Sequence, residues 1–372
     1  MQRFIIVGAG ILGASTAYQL VKMGAEVIIV DRKDRGQATD AAAGIVCPWL
    51  SQRRNQAWYQ LAKSGARFYP ELIDDLTKDG ETETGYARVG AISIHKDEEK
   101  INAMEKRALT RKEDAPEIGE VIKLSETETN HRFPPLSEEY ASLHVSGAAR
   151  VDGRSLRDSL LRAAKKNGAQ LISGDAVLQF EGKQVIGVQV NGENMVANKV
   201  IVCAGAWANQ LLEPLGIHFQ VSFQKAQIVH LELLEADTSR WPVVMPPNDQ
   251  YMLAFDHHTI VVGATHENME MYDSRLTAGG VQEVIGKALD IAPGLSDSTF
   301  LEARVGFRPF TPGFLPIIGP FPGWDGLVIA NGLGASGLTM GPYIGYQLAK
   351  LALELPLDID LELYDVRSAI KD

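Results

Sequence analysis

A glycine-rich turn between two apolar segments near the N-terminus constrains this chain more than any other feature. The segment FIIVGAGILG places Gly8, Gly10 and Gly13 in G-x-G-x-x-G spacing directly after an apolar run. A helical pattern follows to Met23–Gly24, and AEVIIVD then predicts a second buried strand that ends in Asp31. This order predicts a β-α-β dinucleotide-binding unit, in which the glycines allow a tight turn, close approach of a pyrophosphate and close helix packing.

The same unit predicts specific ligand contacts. The amides of Ile11 and Leu12 lie at the helix start, where the helix dipole favours phosphate oxygens. Asp31 is placed to accept hydrogen bonds from ribose hydroxyls. A glycine-rich turn without a ligand is the alternative. The pattern does not choose between NAD and FAD, although its position at the extreme N-terminus is typical of flavoproteins.

Composition excludes several function classes. The chain has 372 residues, enough for two domains, and a net charge of −11, which argues against nucleic-acid binding. Cys47 and Cys203 fit no metal or redox spacing, which suits a reducing cytoplasm. His257–His258 lies between two strand-like runs and predicts a solvated hairpin loop rather than a metal site. Residues 4–21 carry no charge, but their glycines favour a strand that enters a helix over a membrane segment.

The rest of the chain alternates between two kinds of pattern. Residues 35–49 are rich in small side chains, which suits a backbone lying against a flat ligand, and residues 56–79 predict an amphipathic helix. We therefore predict an α/β fold with a Rossmann-like FAD-binding domain assembled from discontinuous segments and an inserted β-rich substrate domain. The predicted FAD-binding domain comprises residues 1–79, 146–216 and 301–372, and the predicted substrate domain comprises residues 80–145 and 217–300.

One late segment combines arginines, prolines and apolar residues. RVGFRPFTPGFLPIIGP, residues 304–320, contains Arg304 and Arg308. An arginine keeps its charge, so a buried one needs either a protein carboxylate or an anionic ligand. The prolines after Arg308 predict a stiff loop that presents it, and Arg304 is expected to have a structural role.

Four segments, in order, resemble the D-amino-acid oxidase family of FAD-dependent oxidoreductases. ATDAAAGIV is similar to the glycine oxidase segment that lies along the flavin, and VCAGAWAN resembles a second nucleotide-domain signature. GFRPFTPGFLPIIG resembles a motif of D-amino-acid dehydrogenases, and GLGASGLTMGP resembles the final flavin-binding loop. With the N-terminal glycines, the resemblance covers nearly the whole chain.

The resemblance implies an activity and a set of site residues. It implies oxidation of the amine of a D-amino acid or a small N-substituted glycine by hydride transfer to flavin N5, followed by hydrolysis of the imine. Arg308 would bind the substrate carboxylate, and Tyr251 would hydrogen-bond the substrate, with a core aromatic as the alternative. Besides the residues of the first motif, the implied FAD contacts are Arg32, Ala38, Thr39, Ala43, Gly44, Ile45, Val177, Ala204, Gly205, Gly334, Ser336, Gly337, Leu338 and Thr339.

Departures from the family pattern leave the substrate open. Gly306 lies in the region where sarcosine oxidases carry a cysteine that binds FAD covalently, so non-covalent FAD is expected. Thr339 replaces their lysine, and Ala335 replaces the second substrate arginine of glycine oxidase. Arg53 or Arg54 could supply a second positive group, or both could lie in a solvated loop.

Other functions remain open from the sequence. The same fold can serve a dehydrogenase that passes electrons to a quinone or another carrier. A non-catalytic flavin- or nucleotide-binding protein and an NAD-dependent dehydrogenase are the alternatives of other classes. The expected partner is a small amino-acid substrate, with no nucleic acid and no integral membrane segment. A homo-oligomer or an electron-acceptor partner is left open.

Overall fold

The computed structural model describes residues 1–234 and 236–371. Its helices are α1 (Ile11–Lys22), α2 (Gln56–Lys78), α3 (Glu98–Lys112), α4 (Glu126–Arg132), α5 (Gly153–Lys166), α6 (Ala208–Leu212), α7 (Ala278–Ile291) and α8 (Gly337–Ala352). Its strands are β1 (Arg3–Val7), β2 (Glu26–Asp31), β3 (Ile45–Val46), β4 (Ala91–His95), β5 (Val121–Leu124), β6 (Ala141–Val145), β7 (Ala149–Arg150), β8 (Gln170–Ser173), β9 (Ala176–Glu181), β10 (Gln184–Val190), β11 (Glu193–Val196), β12 (Lys199–Val202), β13 (His218–Phe219), β14 (Ser222–Glu232), β15 (Val243–Met245), β16 (Tyr251–Ala254), β17 (Thr259–Gly263), β18 (Glu267–Asn268), β19 (Thr299–Phe310), β20 (Ile317–Pro320), β21 (Leu327–Asn331) and β22 (Ile370–Lys371).

A six-stranded sheet confirms the predicted Rossmann-like unit. Its strand order is β20-β21-β12-β1-β2-β8, parallel apart from β20. Val7, at the end of β1, lies opposite Val30 of β2 and Val202 of β12. The carboxyl ends of these strands therefore meet at one edge, where open α/β sheets bind ligands.

The continuous apolar run of β1 is explained by burial on both faces. Phe4 and Ile6 belong to a core shared with α1 and α8. Ile5 and Val7 point the other way, into a second core that includes residues of β9, β10 and β12. Alternate side chains of a strand face opposite sides, so a strand between two cores has no polar face.

A larger, nine-stranded sheet forms the second part of the molecule. Its order is β18-β14-β17-β16-β15-β4-β6-β5, and β19 pairs with β14. β14 and β19 are antiparallel along their length, with Gln224 opposite Arg308. Because β4 to β6 and β14 to β19 come from two separated stretches of chain, this sheet agrees with a β-rich domain inserted twice.

The strand pairing corrects two of the predicted domain boundaries. β19 belongs to the larger sheet, so the last FAD-binding segment begins after Phe310 rather than at residue 301. β13 pairs with the C-terminal β22, so the second substrate segment begins near Ser222 rather than at residue 217. Both errors arose because single-sequence patterns do not reveal which distant strand is the hydrogen-bonding partner.

The segment that carries Arg308 also differs from the prediction. Arg308 lies on β19, not on a loop, although Pro309 follows it directly. Among the named strands β19 pairs only with β14, so one of its edges is free of a second ladder. Proline is tolerated on such an edge because its missing N–H interrupts no second set of hydrogen bonds.

Two smaller expectations can be compared with the structure. His257 and His258 are exposed and form the turn between β16 and β17, as the sequence predicted. Within residues 1–234 and 236–371, no helix is both long enough and apolar enough to cross a membrane.

Candidate active site

A cavity of about 490 Å³ lies between the carboxyl edge of the six-stranded sheet and the larger sheet. Its size is typical of ligand and cofactor sites. Most of the predicted site residues line this one cavity although they are spread over more than 300 positions. The predicted residues in its wall are Gly8, Gly10, Ile11, Leu12, Asp31, Arg32, Ala38, Thr39, Ala43, Gly44, Ile45, Val177, Ala204, Gly205, Tyr251, Arg308, Gly334, Gly337, Leu338 and Thr339.

Two predicted cofactor residues, Gly13 and Ser336, are not in the cavity wall. A Cβ atom on Gly13 would overlap the backbone oxygen of Gly8, so Gly13 allows α1 to pack closely on the turn before it. Ser336 is the residue before α8, and its side chain forms no capping hydrogen bond. Gly13 therefore shapes the site from outside it, whereas no contact of Ser336 gives that residue such a role.

α1 and α8 begin at this cavity and lack the side-chain caps that five other helices have; the short helix α6, which follows Trp207 in the cavity wall, lacks one too. α2, α3, α4, α5 and α7 each begin at a capping side chain, namely Asn55, Asp97, Ser125, Asp152 and Thr277. α1 follows Gly10 and α8 follows Ser336, and neither residue caps its helix with a side chain. Uncapped amides and the positive end of the helix dipole favour an anionic ligand at both helix starts.

The Ile11 amide differs from the prediction. It donates to Thr39 Oγ1 at 3.0 Å, so it is already bonded within the protein. The contact forms because the 3₁₀ turn Ala38–Ala41 lies against Gly10, and a Cβ on Gly10 would come within 3.3 Å of Thr39 Oγ1. Of the two amides predicted to face phosphates, the Leu12 amide is therefore the one that stays a candidate.

Gly10 is required by the cavity rather than by the backbone. Its φ of −67° and ψ of −176° are accessible to any residue. An added Cβ would make one tight contact, 3.3 Å to Thr39 Oγ1, and would otherwise occupy the cavity. The missing side chain therefore leaves room for a ligand against the backbone.

Asp31 is held rigidly at the far end of the cavity. Its Oδ2 accepts from the amide of Ala9 at 2.6 Å, and its Oδ1 accepts from the Lys33 amide and Gln37 Nε2. The side chain is buried and lines the cavity. A carboxylate with two fixed oxygens can still accept further hydrogen bonds from hydroxyl groups.

The small-residue segment forms one wall, as predicted, and is tied to both neighbouring elements. The oxygen of Gly44 accepts from the Val151 amide at 2.9 Å. The oxygen of Ile45 accepts from Thr339 Oγ1 at 2.8 Å. These bonds fix the backbone of the segment, so its alanines present a smooth surface to the cavity.

Arg308 brings a positive charge to the cavity from β19 of the larger sheet. Its Nη1 donates to Gln224 Oε1 at 3.3 Å and lies 3.1 Å from His266 Nδ1. Within residues 1–234 and 236–371, no carboxylate lies within ion-pair distance of its guanidinium group. By contrast, Arg304 on the same strand donates to Glu302 at 2.5 and 2.8 Å, which agrees with the structural role predicted for it.

Tyr251 and His266 lie beside Arg308, and Asp249 lies beside His266; the sequence analysis missed His266 and Asp249. Burial raises the pKa of Tyr251, so its hydroxyl keeps its proton and can donate. Burial, and then the charge of Arg308, lower the pKa of His266, which favours the neutral ring. Burial alone would raise the pKa of Asp249, but hydrogen bonds from Gln250 and Lys287 bring it below its usual value.

Asp249 and His266 line the same cavity, and the Asp249 Oδ2–His266 Nε2 distance is 3.9 Å. The Asp249 carboxylate and the Arg308 guanidinium thus line the same cavity. A zwitterionic ligand needs both a negative and a positive partner of this kind. Asp249 stands two positions before Tyr251, and this closeness in sequence to a predicted site residue was the signal that could have identified Asp249. No sequence signal could have identified His266, because its place beside Arg308 depends on how β18 pairs with β14.

Two residues discussed in the sequence analysis, Cys203 and Ala335, line the cavity, and a third, Arg53, does not. Cys203 lines it, but burial raises the pKa of its thiol to about 12, which leaves it protonated and unreactive. Ala335 lies in the wall, where it adds no charge. Arg53 is outside this cavity and lines another one, between α2 and α3.

Comparison with known proteins places this geometry in context. The family model for "DAO: FAD dependent oxidoreductase" matches residues 3–351. The chain is 63% identical over 371 residues to "Uncharacterized oxidoreductase YurR" of Bacillus subtilis, with all of both chains covered. It is 29% identical to a glycine oxidase of Pseudomonas aeruginosa, with 92% of each covered. The crystal structure of iminodiacetate oxidase (IdaA) from Chelativorans sp. BNC1 superposes with a TM-score of 0.95 and 46% identity, covering 98% of each chain.

Proposed function

The chain belongs to the FAD dependent oxidoreductase family, and from that membership we propose that it oxidises a small N-substituted glycine, with D-amino acids as the second substrate class. At the coarser level it is an FAD-dependent amine oxidoreductase. When bound, FAD would supply the acceptor for a hydride from the carbon that carries the amine, and water would hydrolyse the resulting imine. The protein's part is to bind, orient and electrostatically match the reactants.

The residues of the cavity fit FAD. The uncapped start of α1, with the Leu12 amide, suits the diphosphate, and Gly10 leaves space for it. The fixed oxygens of Asp31 suit ribose hydroxyls. The uncapped start of α8 would place Leu338 and Thr339 amides near a flavin ring, where helix amides favour negative charge. We propose non-covalent binding, since Gly306 lies in the region where sarcosine oxidases carry the cysteine that binds FAD.

The observation that carries the substrate proposal is the environment of Arg308. Its hydrogen-bonding partners are the neutral groups of Gln224 and His266, so its charge is held in place without being neutralised. A guanidinium fork pairs with a carboxylate through two parallel hydrogen bonds. A substrate carboxylate on Arg308 would fix the direction of the neighbouring carbon and lower the entropy cost of reaction.

The amine end of the substrate has its own partner. Asp249 is ionised near neutral pH, since its pKa is lowered, and it lines the cavity with Arg308. We assign it to the substrate ammonium group, which must be recognised before it loses its proton. Tyr251, held protonated by burial, is proposed to donate to the substrate carboxylate beside Arg308.

N-substituted glycines are placed first because of the relative at 46% identity. Iminodiacetate, the compound in that protein's name, is an N-substituted glycine with a carboxylate to engage an arginine. Ala335, in the cavity wall, contributes no charge and little bulk, which suits a secondary amine.

The proposal is tested by anaerobic flavin spectroscopy. We expect the yellow absorbance of the purified protein to bleach with iminodiacetate or sarcosine faster than with D-alanine or D-proline. Peroxide release and dye reduction, measured in parallel, identify the electron acceptor. Bleaching by none of a panel of glycine, N-substituted glycines and D-amino acids would contradict the proposed function.

Replacing Asp249 with asparagine is expected to raise KM for the amine substrate about fivefold, the magnitude of a partly exposed ion pair. The inhibition constant of acetate, which has a carboxylate but no amine, should stay the same or fall. Steady-state kinetics with acetate as competitor measures both. Asp297→Asn, an equal charge change at an exposed position, is the control. Equal weakening of substrate and acetate would contradict the assignment.

A further inference from the structure

A second cavity, of about 430 Å³, lies between α2 and α3 and is lined by cationic side chains. We call it the arginine pocket, after Arg53, Lys106, Arg107 and Arg111, which surround it together with Tyr59. None of these residues lines the cavity that contains Arg308. The arginine pocket is thus a separate site beyond the proposed oxidation.

The four cations of the arginine pocket have no ion-pair partner in the part of the chain that the structure describes. Within residues 1–234 and 236–371, none forms an ion pair within 4.0 Å. Cations close by do pair, as Lys63 does with Asp114 and Lys123 with Glu105. In a chain with a net charge of −11, four converging unpaired cations run against the general charge balance.

Neutral groups hold these guanidinium groups in place. Arg111 Nη1 donates to the oxygens of Trp49 and Ser51 at 2.6 and 2.7 Å, and its guanidinium lies 4.7 Å from the ring centre of Tyr59. Arg53 donates to the Phe314 oxygen and lies 4.8 Å from the ring centre of Trp58. Carbonyl groups and aromatic faces orient a cation without cancelling its charge.

Two buried polar atoms in the pocket have no hydrogen-bond partner among the described residues. The Tyr59 hydroxyl and Arg107 Nε are enclosed but form no hydrogen bond with any described residue. Tyr59 is only 7% exposed. Burial also lowers the pKa of Arg53, and it is the largest cause of the lowered pKa of Arg111. Buried donors without partners are rare in folded proteins and call for a ligand or another explanation.

We propose that the arginine pocket binds a small oxyanion with two or more negative charges, of the phosphate or polycarboxylate class. Arginine forks match the oxygens of both groups bidentately, and several converging cations favour a multiply charged ligand. The Tyr59 hydroxyl supplies a neutral donor at the same ligand. A monoanion would leave most of the pocket's charge uncompensated.

The test is calorimetric titration of the FAD-loaded enzyme at constant ionic strength, with pyrophosphate in one arm and citrate in the other. We expect one saturable site per chain in at least one arm. Binding of pyrophosphate alone identifies the phosphate class, and binding of citrate alone identifies the polycarboxylate class. No saturable binding in either arm overturns the proposal.

Matched variants locate the site. Arg107→Gln is expected to raise the dissociation constant about tenfold, the loss of one charged hydrogen-bonding group. Tyr59→Phe keeps the ring under Arg111, removes only the unpartnered hydroxyl and should raise the constant about threefold. Lys112→Gln makes the same charge change as Arg107→Gln at an exposed α3 position outside the pocket. It should change the dissociation constant by less than about twofold. The assignment would be overturned if Lys112→Gln and Arg107→Gln raised the dissociation constant equally. It would also be overturned if neither Tyr59→Phe nor Arg107→Gln changed the dissociation constant.

Discussion

Replacing Arg308 with alanine is expected to lower kcat/KM about 10²- to 10³-fold while FAD stays bound. Among the described residues the guanidinium has no carboxylate partner, and it lines the cavity, so its interaction energy is available to a substrate carboxylate. Loss of one partner from such a charged, hydrogen-bonded pair costs about 2–5 kcal/mol. The loss should appear mainly in KM, with a further fall in kcat where orientation is lost.

Steady-state kinetics, together with the flavin absorbance per mole of protein, separates substrate binding from cofactor binding. Arg308→Lys keeps the charge but loses the planar fork, and should fall between the wild type and Arg308→Ala. Arg304→Ala is the control on the same strand, because Arg304 is paired with Glu302. Arg304→Ala should affect thermal stability rather than KM. Kinetics of Arg308→Ala equal to those of the wild type would refute the carboxylate role.

Replacing Gly10 with valine is expected to weaken FAD binding about 100-fold without unfolding the protein. Gly10 has an ordinary φ, and an added Cβ would meet only Thr39 Oγ1, at 3.3 Å. The valine side chain would instead fill the cavity at the start of α1, where the diphosphate is proposed to lie. Overpacking of this size costs about 1–3 kcal/mol, and the upper end corresponds to a factor of about 100.

Fluorescence titration of the apoprotein with FAD measures the affinity, and circular dichroism measures the fold. Gly13→Val provides the contrast, because a Cβ there would overlap the Gly8 oxygen and force α1 away from β1. That variant should lose its folded spectrum as well as its cofactor. A Gly10→Val protein that binds FAD as tightly as the wild type would mean that the diphosphate lies elsewhere.

The local parts of this site could be predicted from sequence because they depend on neighbouring residues. The glycine spacing, the apolar run before it and Asp31 lie within 31 residues, and the structure assembles them as the β-α-β pattern requires. The small residues around Gly44 and the loop at Gly334 were recognised by their resemblance to a family. Gly8, Gly10, Asp31, Gly44 and Gly334 line the cavity.

Contacts that depend on strand pairing could not be predicted in the same way. His266 reaches Arg308 because β18 and β19 both pair with β14, and the sequence contains no signal for that pairing. The Ile11 amide was assigned to phosphate, but the structure brings Thr39 to it from 28 residues away. The prolines after Arg308 suggested a loop, whereas an edge position in a sheet accommodates them.

The sequence by itself determined the nucleotide-binding unit and the chemical types available to the site, since glycine spacing and apolar periodicity act over short stretches of chain. Only the tertiary structure decided which charges are neutralised. Arg304 and Arg308 stand four positions apart on one strand, yet one meets Glu302 and the other meets neutral groups at a cavity. The tertiary structure likewise brings Arg107 and Arg111 of α3 into one pocket together with residues of α2. Charge compensation depends on distances across the fold, and those distances exist only after the chain has packed.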